Sequence, residues 1–181
     1  PLKGIDTLIQ AIAIMRKMGV FVCLLVIGGE PNPSVETENA EMVRLKEMCE
    51  QAGLSDLVTF LGKRGQDTPP YYYSAVEAVV VPSHYESFGM VALEAMACGA
   101  PVVASQVGGL AYLVKDGETG FTVPVDDPQA LAERLALLIN DQSLRQRLGR
   151  QAAQAAREYA WENIADRIIN VYQDLLGSEG V

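Results

Sequence analysis

Two glutamates eight positions apart, Glu86 and Glu94, stand on either side of Gly89 in the stretch PSHYESFGMVALEAMACG. A carboxylate accepts hydrogen bonds and donates none, so a pair of them suits the hydroxyls of a sugar or ribose and repels an anion. Between them lies the opposite chemistry. Ser87, Phe88 and Gly89 lead into apolar groups at helical spacing from Met90 to Cys98. The free N–H groups at the start of such a helix, with the positive end of its dipole, suit a phosphate. Gly89 has no side chain to hold a ligand off the backbone. Hydroxyl acceptors flanking an anion site together fit a sugar nucleotide. Taken singly, each Glu reads as a solvated surface residue, the commoner fate of the type. Glu94 stands apart, because Val91, Ala92, Leu93, Ala95, Met96 and Ala97 surround it. A helix that apolar is predicted to be mostly buried, and a carboxylate on it needs hydrogen-bonded partners.

The elements that would hold these residues follow from the same stretch. Val79, Val80 and Val81 form a continuous β-branched run bounded by Pro82, which predicts a strand buried on both faces of a parallel sheet. A short polar loop follows over 83–88, then the helix, stopped by Gly99 and Pro101, then a strand over 102–105. Strand, loop, helix and strand make a βαβ unit whose loop lies at the carboxyl end of a strand, where such sheets bind ligands. Two similar strand ends precede it. Residues 20–27 read as a core strand ending in Gly28-Gly29, and residues 57–61 as a strand followed by Gly62-Lys63-Arg64-Gly65. Lys63 and Arg64 suit a phosphate, or Arg64 the face of a base. Alone, each of these ends reads as an ordinary turn.

The rest of the chain fits the same alternation. Asp6 is predicted to cap a helix running to Met18 and closed by Gly19, and Asn39, after a polar loop over 31–37, a helix closed by Gly53. Pro69-Pro70 opens a short helix whose Tyr71, Tyr72 and Tyr73 fall on different faces. A short helix over 110–114, a strand over 120–125, and a helix capped by Asp127 with Pro128 at its first position come next. Helices over 143–159 and 161–176 end the pattern, with 177–181 as a frayed tail. Ile164, Ile168, Val171, Tyr172 and Leu175 make one stripe on the last helix, which must lie on a surface of this domain or of a partner. Five strands alternating with helices predict a single α/β domain over 1–181, a Rossmann-like doubly wound parallel sheet with helices on both faces and a helical C-terminus.

Composition narrows the function. The chain has 181 residues, 49% of them hydrophobic, ample for a compact core. With 14 Lys and Arg against 23 Asp and Glu, the net charge of −9 argues against a nucleic-acid partner. Cys23, Cys49 and Cys98 show no CxxC spacing and sit in apolar settings, which predicts buried free thiols in a reducing, cytoplasmic compartment. His84 is the only histidine, so a metal site of several histidines is excluded. The longest apolar run, 20–27, is too short for a transmembrane span. The chain opens on Pro1-Leu2-Lys3-Gly4 without an initiating Met, which reads as a piece of something longer.

The whole run from His84 to Ser105, followed by Val107-Gly108-Gly109, resembles the signature of the family-four retaining glycosyltransferases (glycosyl transferases group 1), with its Glu-x7-Glu element and Ala-x-x-Gly-x-Pro-Val-Val-Ala. Lys3-Gly4, Gly28-Gly29, Thr59-Phe60-Leu61-Gly62, and Asp116-Gly117 with Thr119-Gly120 are similar to further motifs of that family. The resemblance implies the carboxyl-terminal, donor-binding lobe of a GT-B enzyme, in which two Rossmann-like lobes face each other. It implies catalytic roles for Glu86, which would bind hydroxyls of the donor sugar, and Lys3, which would neutralise the diphosphate. Backbone amides from Phe88 through Gly89 and Met90 to Val91, beside Ser87, would hold a sugar hydroxyl and the distal phosphate, and Glu94 would take both ribose hydroxyls. Gly29 would border the donor, and Lys63 and Arg64 the base. No metal or cofactor is required on this reading, and the leading donor is UDP-glucose, ahead of GDP-mannose and UDP-N-acetylglucosamine.

Some positions depart from the family pattern. The Arg that precedes the Lys in the family falls before Pro1, the first strand and the acceptor lobe are absent, and Tyr112 and Glu77 stand where Glu and Asp are common. The resemblance therefore implies a missing N-terminal lobe, onto which residues 161–176 would pack. The lobe alone is expected to catalyse nothing, and peripheral membrane association of the whole enzyme stays open. The alternative is a non-catalytic Rossmann-like nucleotide-binding or interaction module. An oxidoreductase lacks its G-x-G-x-x-G after the first visible strand.

Overall fold

A computed structural model describes residues 2–29, 40–65 and 67–177. Five strands alternate there with helices: α1 (Ile5–Lys17), β1 (Leu24–Ile27), α2 (Ala40–Gln51), β2 (Val58–Gly62), α3 (Pro69–Ala75), β3 (Val79–Val81), α4 (Met90–Ala97), β4 (Val102–Ser105), α5 (Leu110–Leu113), β5 (Gly120–Val123), α6 (Pro128–Asn140), α7 (Gln142–Ala156) and α8 (Trp161–Gly177). All pairings are parallel, β1 with β2 in one set and β3-β4-β5 in the other. Parallel strands joined by helical crossovers send their carboxyl ends to one edge, so the loops after every strand gather there.

Strand β4 shows how the layers arise. Val103 packs into a core with α1, α2 and α6, while its neighbours Val102 and Ala104 pack into a second core with α4, α5 and α7. Alternate side chains leave a strand on opposite faces, so helices cover both sides, the architecture expected from the α/β alternation. The first core runs under both strand sets, from Leu24, Val26 and Val58 to Phe121 and Val123. The second lies against β3 and β4, built on Val79, Val81, Val102 and Ala104.

That asymmetry corrects the expectation for residues 20–27. The strand is shorter, and only Leu24 and Val26 turn to a core; Leu25 is 41% and Ile27 38% exposed, because among the described residues nothing covers their face. Cys23, on this segment, is exposed rather than buried, whereas Cys49 is buried, which pushes its thiol pKa up. Helix α1 starts one residue before Asp6, behind a left-handed Gly4, so Asp6 sits inside the first turn and its Oδ1 accepts from the Thr7 N–H at 3.1 Å. Strand β5 ends at Val123, since Pro124 has no N–H to continue the ladder. Asp127 caps α6 as expected, its Oδ1 accepting from the Ala130 N–H at 2.9 Å. Helix α7 begins at Gln142, capped by Asp141. The expected loop over 31–37, the Asn39 cap and residues 178–181 lie outside the described residues. No described helix is long and apolar enough to cross a membrane.

Candidate functional site

The start of α4 is open. Gly89 precedes it in a left-handed conformation (φ 97°), and a Cβ there would come within 2.6 Å of Leu110 Cδ2. Among the described residues no side chain caps the helix and no carbonyl receives the N–H groups of Met90, Val91 or Ala92; Leu93 is the first to find one, the Gly89 O at 3.0 Å. Three donors and the positive end of the dipole are thus left for an anion. Helix α4 itself is not mostly buried. Ala92, Ala95 and Met96 face the core, and Met90, Val91, Glu94 and Ala97 form an outer face.

Glu94 still has the partner that the sequence demanded, by a different route. The Tyr73 hydroxyl on α3 donates to its Oε2 at 3.1 Å. Burial, and then the charge and hydrogen bond of Glu94, push the Tyr73 phenol up to about 12, so it keeps its proton and remains a donor. Three adjacent tyrosines in the sequence give no sign of which one reaches back to α4. Tyr71, two residues away, is 77% exposed.

The loop carrying Glu86 rests on backbone. The Gly109 N–H donates to the Glu86 O at 3.1 Å, and a Cβ on Gly108 would lie 1.9 Å from that same oxygen. Any side chain at 108 would push the loop away, so Gly108-Gly109, which the sequence shows as the end of the family signature, supports the loop. Phe88 packs edge to face on Tyr159, ring centroids 5.7 Å apart. Glu86 and Lys3 meet directly: Lys3 Nζ lies 2.8 Å from Glu86 Oε2, with Glu86 largely covered and Lys3 open to solvent.

Two groups of residues emerge on the carboxyl edge of the sheet. Lys3, Glu86, the segment Ser87 to Val91, Glu94 and Tyr73 surround the start of α4. Gly29, Lys63 and Arg64 follow β1 and β2, whose ends are joined by a hydrogen bond from the Gly28 N–H to the Gly62 O at 3.1 Å. Lys63 and Arg64 are exposed and make no ion pair with a described residue. No hydrogen bond among the described residues joins the second group to the first.

Residues 1–155 match the family described as glycosyl transferases group 1. The chain belongs to that family. Among relatives of this group 1 glycosyl transferase chain, the D-inositol 3-phosphate glycosyltransferase of Corynebacterium glutamicum is 37% identical over 100% of this chain and 43% of its own length. Sucrose-phosphate synthase from Thermosynechococcus elongatus superposes with a TM-score of 0.83 at 38% identity, over 98% of this chain and 43% of that one. Anabaena HepE in complex with UDP-glucose gives a TM-score of 0.81 at 29% identity, over 96% and 46%. The chain thus spans less than half the length of these relatives, with the parallel α/β architecture of one GT-B lobe and a helical C-terminus.

Proposed function

We propose that this chain is the donor-binding lobe of a retaining glycosyltransferase and that it holds a nucleoside diphosphate sugar, UDP-glucose foremost. The observation that carries this reading is the uncapped start of α4, with the Lys3–Glu86 pair at one side and Glu94 one turn along the same helix. The Met90 to Ala92 amides and the Lys3 ammonium receive the diphosphate. Glu86 turns to the hydroxyls of the donor sugar, beside Ser87 and Phe88, and Glu94, steadied by Tyr73, to those of the ribose. Gly29, Lys63 and Arg64 border the base. Lys3 can exchange its carboxylate partner for the diphosphate because its ammonium is open to solvent, while the largely covered Glu86 exchanges the ammonium for sugar hydroxyls.

In the reaction the bond from the anomeric carbon to the diphosphate oxygen breaks, and a new bond to the acceptor oxygen forms on the same face. The acceptor's hydroxyl proton passes to the departing diphosphate. Charge developing on that leaving group is met by Lys3 and the helix amides, which strengthens their interaction in the transition state. No metal or cofactor enters this scheme. The UDP-glucose held by Anabaena HepE supports the donor, and the names of the other two relatives support an acceptor hydroxyl on a phosphorylated polyol or sugar.

The rest of the protein supplies the acceptor lobe. It also supplies a strand between β1 and β3, which would join the two separate sets, β1-β2 and β3-β4-β5, into one sheet of the doubly wound order. The exposed stripe of α8, including Ile168, Val171 and Leu175, packs on that other lobe.

Calorimetric titration with UDP, UDP-glucose and GDP-mannose tests the reading. UDP-glucose and UDP are expected to bind, GDP-mannose at least about tenfold more weakly, and Glu94→Ala to weaken UDP by about 10–100-fold, the range for a lost hydrogen bond to a charged group. Absence of binding by all three overturns it.

A further inference from the structure

A carboxylate outside this group ties its two sides together. Asp126, between β5 and the Asp127 cap, is the only non-glycine described residue with a left-handed backbone (φ 54°). Its Oδ1 accepts from Thr7 Oγ1 at 3.0 Å and lies 2.8 Å from His84 Nε2. The His84 approach is close without being aligned as a hydrogen bond.

Each contact leads to a residue of the candidate site. Thr7 is a buried residue of the first turn of α1, and the segment before that turn carries Lys3. His84 opens the loop that carries Glu86, and its N–H donates to the Leu2 O at 3.0 Å. The same segment runs so close to the loop that a Cβ on Gly4 would lie 1.9 Å from the Pro82 O. Asp126 thereby grips both partners of the Lys3–Glu86 pair through their neighbours. A left-handed backbone costs free energy for any residue with a side chain, and glycine would adopt it freely. Asp accepts that cost and returns contacts that glycine has no atoms to make.

We infer that Asp126 is a positioning residue for the donor diphosphate: it locks the start of α1 to the loop after β3, so that Lys3 and Glu86 already flank the α4 amides when the donor arrives. The inference rests on the donor-site reading above.

The test compares Asp126→Gly, Asp126→Asn and Lys3→Ala in the full chain, by thermal unfolding and by titration with UDP and UMP. Gly fits φ 54° without strain, which offsets part of the lost contacts, so Asp126→Gly is expected to stay folded at the temperature of the titration, yet to bind UDP about five- to tenfold more weakly. UMP lacks the phosphate that Lys3 meets, so its affinity changes less than twofold. Asp126→Asn keeps an acceptor oxygen for Thr7 and restores UDP binding to within about twofold. In the Asp126→Gly background, Lys3→Ala weakens UDP less than it does in the parent, as coupled residues should. Unaltered UDP binding in Asp126→Gly, or equal losses for UDP and UMP, overturns the positioning role while the donor site stands. If the parent binds no UDP, or Lys3→Ala leaves UDP binding unchanged, the donor-site reading fails and this inference falls with it.

Discussion

Strands β1 and β3 are equally apolar, and they end in opposite situations. Val79 and Val81 turn into a core with α4, α5 and α7 while Val80 packs on the other side; Leu24 and Val26 reach a core while Leu25 and Ile27 face outward. Glu86 and Glu94, each with a side-chain partner, hang from the set covered on both faces. Gly29, Lys63 and Arg64 hang from the set with one bare face. A strand packed from both sides resists displacement, so the loop it carries holds its shape before any ligand binds. Within this chain the comparison therefore makes β3 and α4 the pre-organised end of the proposed site, and β1 and β2 the adjustable end.

The largest effect that would break this contrast concerns stability. Met96 is fully buried against α4's neighbours, and Met96→Ala should cost about 2–5 kcal/mol in denaturant unfolding. Leu25→Ala should cost less than about 1 kcal/mol in this chain, because the side chain it truncates is already 41% exposed. Equal costs for the two would mean that both faces of β1 are covered. In the longer protein, where the proposed extra strand lies beside β1, the cost of Leu25→Ala should rise.

Binding should divide along the same line. Lys3→Ala removes a cation at the α4 mouth and is expected to weaken UDP by about 10–100-fold, or roughly 1.5–3 kcal/mol. Its effect on unfolding should be smaller than that of Met96→Ala, since the Lys3 side chain is 68% exposed and only its Glu86 partner is largely covered. Arg64→Ala, on the adjustable side, should cost only about two- to fivefold, the scale of an exposed cation stacked on a ring. Titration of both variants with UDP gives the order, and a larger loss at Arg64 than at Lys3 would reverse the assignment.

The sequence foretold the pre-organised side better than the other. Pro82, Gly89 and Gly99 punctuate an apolar pattern so plainly that β4 is found at 102–105 as read and α4 opens at Met90. The open start of α4 was legible because Gly89, directly before Met90, has no side chain with which to cap the helix. What covers a strand is another matter. LLVI in β1 has the composition of a core strand, and its bare face follows from the absence of a neighbour, which no local pattern records. Tyr73 escaped notice because its partner lies 21 positions away, and Asp126 because Asp127 beside it already explained an acidic residue before Pro128. Both contacts join elements distant in sequence, and spacing within one element carries no trace of them.

The smallest expected effect sharpens the comparison at the hinge between its two sides, where α3 from the β2 side touches α4. Tyrosine ordinarily ionises near pH 10, and in the folded chain Tyr73 is pushed up to about 12, first by burial and then by Glu94. The folded state therefore holds this proton more tightly than the unfolded state does. Stability from the group is fully present below about pH 10 and is lost as pH rises from there towards about 12. Tyr73→Phe removes that dependence, so between about pH 9 and about pH 11.5 the variant should lose less stability than the parent, with the remaining tyrosines and lysines contributing to both alike. It should also weaken UDP by a few-fold, less than the loss of Glu94 itself because Tyr73 acts on the ligand only through Glu94, and the loss should vanish when Glu94 is already Ala. Parallel stability curves for Tyr73→Phe and the parent, with UDP affinity unchanged, would show that α3 does not steady Glu94 and that the open face of α4 keeps its geometry without help from the β2 side.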